Sequence, residues 1–154
     1  MKLLRKPLLN AFVVSLISLF YGLVFHVTAL NYEFTGMLGY DPERGGTLTS
    51  PFWNGWSVFL REGNHRFIGY GFLLAAAVIL VLSFIRRKDY DEYQIGFLEK
   101  GLIVSGISML FLIPFWFLSI LEDPCYIVEY AMLVVVVHWT VVLAADLLFM
   151  LIRG

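Results

Sequence analysis

YIVEYAMLVVVVHWTVVLAADLLFMLI, Tyr126 to Ile152, is an apolar run long enough to cross a bilayer, and it carries Glu129, His138 and Asp146 within or at the rims of the span. An ionisable side chain inside a membrane helix costs about 2.5–3.5 kcal/mol on insertion scales, so each of the three requires a partner or a purpose. Three further apolar segments can supply the partners: Ala11 to Leu30, Phe67 to Ile85 and Gly101 to Leu121. The chain of 154 residues is 60% hydrophobic with 17% aromatic residues, a composition that excludes a soluble domain with a polar surface.

These four segments predict an all-α integral membrane protein, a single domain over residues 1–154 built as a four-helix up-down bundle. The links between the second and third segments and between the third and fourth are short, which makes consecutive helices antiparallel neighbours. The first segment also has the outline of a signal peptide. Lys2, Arg5 and Lys6 precede it, and Val27-Thr28-Ala29 offers small residues to a peptidase. Its apolar run is nevertheless a full span of ~20 residues, and it is read as the first transmembrane helix.

Basic residues set the expected orientation. Lys2, Arg5, Lys6, Arg86, Arg87, Lys88, Lys100 and Arg153 fall on one side of the spans, and Arg44, Arg61 and Arg66 on the other. The positive-inside rule then places both termini in the cytoplasm and the link 31–66 on the outer side. That link is long for a compact protein. It has turn signals at Asp41-Pro42 and Gly45-Gly46 and an aromatic cluster of Phe52, Trp53, Trp56 and Phe59. Two readings fit it: an aromatic belt at the headgroup level, or a cap that covers the outer mouth of the bundle or docks a partner. Ser57 to Glu62 is expected to form a short interfacial helix ended by Gly63, with Asn64 capping the second span. The link 86–100 mixes charge signs and reads as a solvated connector. In the third span Gly101, Ser105, Gly106 and Ser108 allow close helix approach, and Pro114 is expected to kink it.

The net charge of −1 gives no basic field for nucleic acid. One cysteine, Cys125, rules out an internal disulfide and a dithiol centre, and leaves a bridge to another chain open. No hydrolase or zinc-protease motif is present, and no paired carboxylates share a helical face, so the chain is not read as an enzyme on its own.

The three histidines are the candidates for chemistry. His26 lies about 6 Å below the end of the first span at Leu30, and His138 about 10 Å below an entry at Ala131, at ~1.5 Å rise per residue. Two imidazoles at one depth on bundle helices are what a bis-histidine haem b requires, and Gly22, one turn from His26, leaves room for a flat ring. The competing reading is that each histidine is hydrogen-bonded to a carbonyl or hydroxyl, with Thr28 and Thr140 at hand. Within the last helix, Glu129 and His138 are about 180° apart and His138 and Asp146 about 80°, so the three do not form one stripe and a proton ladder confined to this helix is not expected. Asp146 has no basic partner of its own at its depth, which argues for one outside the chain.

Glu62, His65, Arg66 and Gly69 spell E-x-x-H-R-x-x-G at the start of the second span. This resembles the start of the second helix in a four-helix half of the haem A synthase family, and His138-Trp139 looks like the histidine of small b-type cytochromes. The resemblance implies a haem-binding architecture with His65 and His138 as ligands. The chain is half the family's length and lacks the outer-loop cysteines of many members, so haem A synthesis is not implied. Glu62 and Arg66 read otherwise as an interfacial ion pair and headgroup contact. Taken together, the expectation is a small membrane subunit of a larger electron-transfer or energy-converting complex, in contact with lipids and other membrane subunits, with haem b optional. A purely structural accessory subunit and a small proton or solute transporter are the alternatives.

Overall fold

The computed structural model describes residues 6–40, 51–85 and 90–152. The turn signals at Asp41-Pro42 and Gly45-Gly46, Arg44, the connector residues 86–89, and Lys2, Arg5 and Arg153 lie outside them. The described chain is helical throughout: α1 (Pro7–Leu30), α2 (Tyr32–Gly36), α3 (Pro51–Arg61), α4 (His65–Ile85), α5 (Glu92–Glu122), a 3-10 turn (Pro124–Tyr126) and α6 (Ile127–Ile152). Among the described residues four helices are long and apolar enough to cross a membrane, α6 together with the turn before it making the fourth. In a bilayer core only a helix satisfies its own backbone, which is why these runs take this form and no other.

The element ends follow local chemistry. Pro7 opens α1, where a missing N–H costs nothing. Asp91 caps α5 in a reciprocal box, its carboxylate accepting from the Gln94 N–H at 2.7 Å while the Gln94 side chain accepts from the Asp91 N–H at 3.2 Å. That box starts α5 at Glu92, so most of the expected connector is its first turns. α5 then runs unbroken through Pro114. α3 begins earlier than expected, at Pro51, and ends at Arg61, stopped by Gly63, whose φ of 71° is open to glycine. There the Asn64 N–H reaches back to the Phe59 carbonyl and the Gly63 N–H to Leu60, a Schellman stop. The Asn64 side chain, expected to cap α4, gives its amide to Glu62 Oε2 at 2.7 Å.

α1 and α4 form the closest pair. Thr28 meets His65, His26 meets Tyr70 and Ser15 reaches the Ala76 carbonyl, so numbering rises along one helix as it falls along the other. The approach is set by glycines: a Cβ at Gly69 would lie 3.1 Å from Phe25 Cβ and 3.3 Å from the Gly22 backbone. α5 pairs with α6 in the same opposed sense, through Phe97 with Phe149, Gly101 beside Ala145 and Ser108 with His138. α6 also packs on α4, and its Trp139 reaches α1, donating to Ser18 Oγ at 2.9 Å with its ring 5.4 Å from that of Tyr21. The core thus sits between α1, α4 and α6, around Ala11, Phe25, Phe72, Ile79, Trp139 and Leu143.

Gly69→Ala should cost about 1–3 kcal/mol, the usual penalty of overpacking, because the new methyl meets backbone. Gly71→Ala, with nothing within 4 Å of the new Cβ, should leave stability unchanged or raise it by up to ~1 kcal/mol. Reversible unfolding in mixed micelles compares the two, and equal midpoints would refute the glycine contact.

Candidate functional site

Three polar levels are strung along α6. At its start Glu129 is fully buried. Its Oε1 accepts the Gly39 N–H at 2.7 Å and the Ser57 hydroxyl. Its backbone carbonyl accepts from Trp56 Nε1 at 3.0 Å. Around this anchor the Tyr40 N–H donates to Ser57 Oγ, Arg61 Nη2 donates to the Tyr40 carbonyl at 2.9 Å, and the Tyr126 hydroxyl donates to Asn54 Oδ1 at 2.5 Å. Trp53 stands edge-on to Tyr130 with ring centroids 4.5 Å apart. The described parts of the link between α1 and α4 are therefore fastened over the start of α6 as a cap. Trp53 and Trp56 are spent on that contact; Phe52 remains exposed. Hydrogen bonds to a charged group are the stronger kind, so a buried carboxylate with two donors is an effective pin.

The histidines come next, and each is joined to a hydroxyl. His26 Nδ1 lies 2.9 Å from the Tyr70 hydroxyl, His65 Nε2 3.0 Å from Thr28 Oγ1, and His138 Nδ1 3.1 Å from Ser108 Oγ. His26 and His65 belong to the α1–α4 interface, and His138 to that of α5 and α6. The room expected beside Gly22 is filled: a Cβ there would meet the Leu73 side chain at 2.9 Å, and Gly69 packs opposite. This donor arrangement fits hydrogen-bonded packing pairs and does not fit two imidazoles facing across a porphyrin. Among the described residues no three His, Cys, Asp or Glu side chains are grouped to hold a metal ion. Glu62 and Arg66 also take separate partners, Glu62 the Asn64 amide and Arg66 the face of Phe67, its guanidinium 5.0 Å from the ring centroid.

The third level is Asp146, 7% exposed, with its Oδ1 accepting from Asn10 Nδ2 at 2.7 Å. Its Oδ2 is buried with no hydrogen-bond partner among the described residues. Beside it a cavity of about 40 Å3 opens between α1, α5 and α6, lined by Asn10, Ser105, Gly101 and apolar side chains. Among the described residues the partner of Asp146 is thus a neutral amide. Sequence reasoning missed Asn10, which stands just before the apolar run of the first segment; a polar residue one turn inside a helix is a faint signal. It also missed Gly39 and Ser57, for which sequence offers none.

Ser57→Ala removes a donor to the Glu129 carboxylate and should loosen the cap by about 1.5–3 kcal/mol. Hydrogen exchange should quicken across Tyr32–Gly36 and Pro51–Arg61 and stay unchanged in the middle of α4; unchanged exchange in the cap would refute the pinning role. No protein-family model, curated protein or solved structure matches this chain.

Proposed function

We propose that this chain is a non-catalytic accessory subunit of a larger membrane assembly, its long helices crossing the bilayer alternately up and down. The basic residues put both termini and the Asp146 end in the cytoplasm, with the cap over Glu129 on the outer side. Its polar residues brace the chain, and the histidines serve packing.

The observation that supports this reading is the state of α5. Only 6% of its most apolar window is buried, against 28% for each of the other three spans. Leu102, Ile103, Gly106, Leu110, Ile113 and Phe117 follow one another at helical spacing on the face turned away from α6, and all are exposed. Lipid covers apolar side chains equally well. A glycine on that face is a different matter, because it costs about 1 kcal/mol relative to alanine in a helix and gives lipid nothing to pack against. A Cβ at Gly106 would have nothing within 4 Å. Small residues at such positions are how membrane helices let a second backbone approach.

Gentle extraction of the full chain, followed by native mass measurement, tests this. The wild-type chain should emerge with other membrane subunits, and Gly106→Trp should reduce their recovery by about tenfold, one 1.4 kcal/mol step in affinity. A chain that emerges alone refutes the reading. Ion movement by the purified chain in liposomes would replace it with a transporter. A reduced-minus-oxidised spectrum with b-type bands lost in His138→Ala would restore haem binding and an electron-transfer role.

A further inference from the structure

The cavity at Asp146 points beyond bracing. A carboxylate in apolar surroundings is expensive unless every lone pair is used, and here one oxygen is used by Asn10 while the other faces no donor among the described residues. The polar groups left at the cavity are mostly acceptors. Asn10 has spent one amide N–H on Asp146 and keeps the other N–H and its amide oxygen. Ser105 donates its hydroxyl proton to the Gly101 carbonyl at 3.0 Å, which leaves the oxygen's lone pairs. Three acceptors against a single remaining amide N–H call for a ligand that chiefly donates.

We infer that this cavity is a binding site for a primary ammonium group. An ammonium head carries three N–H donors and no acceptor, matching Asp146 Oδ2, the Asn10 amide oxygen and Ser105 Oγ in number and kind. The volume of about 40 Å3 has room for a few water-sized groups, since ~10–15 Å3 seats one. It therefore takes the nitrogen and the first carbons of its stem. The walls suit that stem: Phe97 and Phe149 line the cavity, their rings near-parallel with centroids 6.3 Å apart, and offer apolar contact to its carbons. A bare alkali ion would need more oxygen ligands than this donor set holds, and a quaternary ammonium would bring methyls in place of the N–H groups the acceptors require. Asp146 lies about 9 Å from the end of α6 at ~1.5 Å per residue, and Leu102 on the rim is 52% exposed on the outer side of α5. The ammonium can thus arrive on the headgroup of an aminophospholipid entering between helices, or on a small amine from the aqueous side.

The test uses the full chain in nanodiscs of phosphatidylcholine containing a minor share of phosphatidylethanolamine, with native mass spectrometry of the lipids retained. The wild type should hold phosphatidylethanolamine about tenfold more strongly than phosphatidylcholine, the effect of one charge-assisted hydrogen-bonded contact. Asp146→Asn, which keeps the shape of the side chain, should abolish the preference. Leu102→Trp, which obstructs the rim and leaves the buried carboxylate untouched, should lower it as well, so the proposal does not hang on one variant folding. Retention of free ethylamine with no lipid preference, lost in Asp146→Asn, would assign the site to a soluble amine of the same chemistry. Equal retention of the two lipids together with no amine binding, or a preference unchanged in both variants, overturns the proposal. None of these outcomes depends on whether the chain emerges with other subunits.

Discussion

The middle of a bilayer contains no water to finish a hydrogen bond, so a polar side chain placed there must find its partner within the protein, on its own helix or on another. That single constraint accounts for most of what distinguishes this molecule from four greasy rods. Trp139 on α6 reaches Ser18 on α1, Thr28 on α1 meets His65 on α4, and Ser108 on α5 meets His138 on α6. Each such pair joins two helices at a fixed rotation and a fixed height. Apolar packing alone would allow many neighbouring arrangements, because lipid tails are as good a solvent for leucine as another helix is. Polar pairs choose among them, and the Gly22–Gly69 contact then sets how closely α1 and α4 lie.

The two acids of α6 meet the same constraint in different surroundings. Glu129 Oε1 accepts from two donors of the link between α1 and α4, and becomes the point on which a cap is hung, while its Oε2 is buried without a hydrogen-bond partner among the described residues. Asp146 receives one amide and keeps an oxygen over a small cavity. Each acid thus leaves one oxygen unmet. At Asp146 there is space beside it, and an unmet acceptor next to a cavity is the feature that invites a ligand.

How much of this was legible beforehand follows from what helical periodicity contains. The four spans could be read from apolar length alone, and they stand where expected to within a few residues, apart from the early start of α5 set by the Asp91 box. The position of a residue along its own helix was legible too, but the relative height of two helices was not: Trp139, next to His138, packs on Ser18 and Tyr21, about one to two turns along α1 from His26. Rotation about the helix axis was not legible either. His26 turns to Tyr70 and His138 to Ser108, across different interfaces, and no spacing in a single sequence says which way a lone imidazole faces. The partners of Glu129 were hidden for another reason. A backbone N–H at Gly39 exists in every residue but proline, and a serine at 57 resembles any other serine until the chain has folded.

The pin at Glu129 also orders the making of the molecule. Gly39 and Ser57 lie 90 and 72 positions before the carboxylate they bond. In a chain built from its N-terminus, α1 and α4 can meet as soon as both are inserted, needing nothing that comes later. The segments that form the cap emerge in the same interval and have no acceptor waiting. Their bonds to Glu129 must wait through the insertion of α5 until α6 arrives, so the last helix made is the one that finishes the earliest loop.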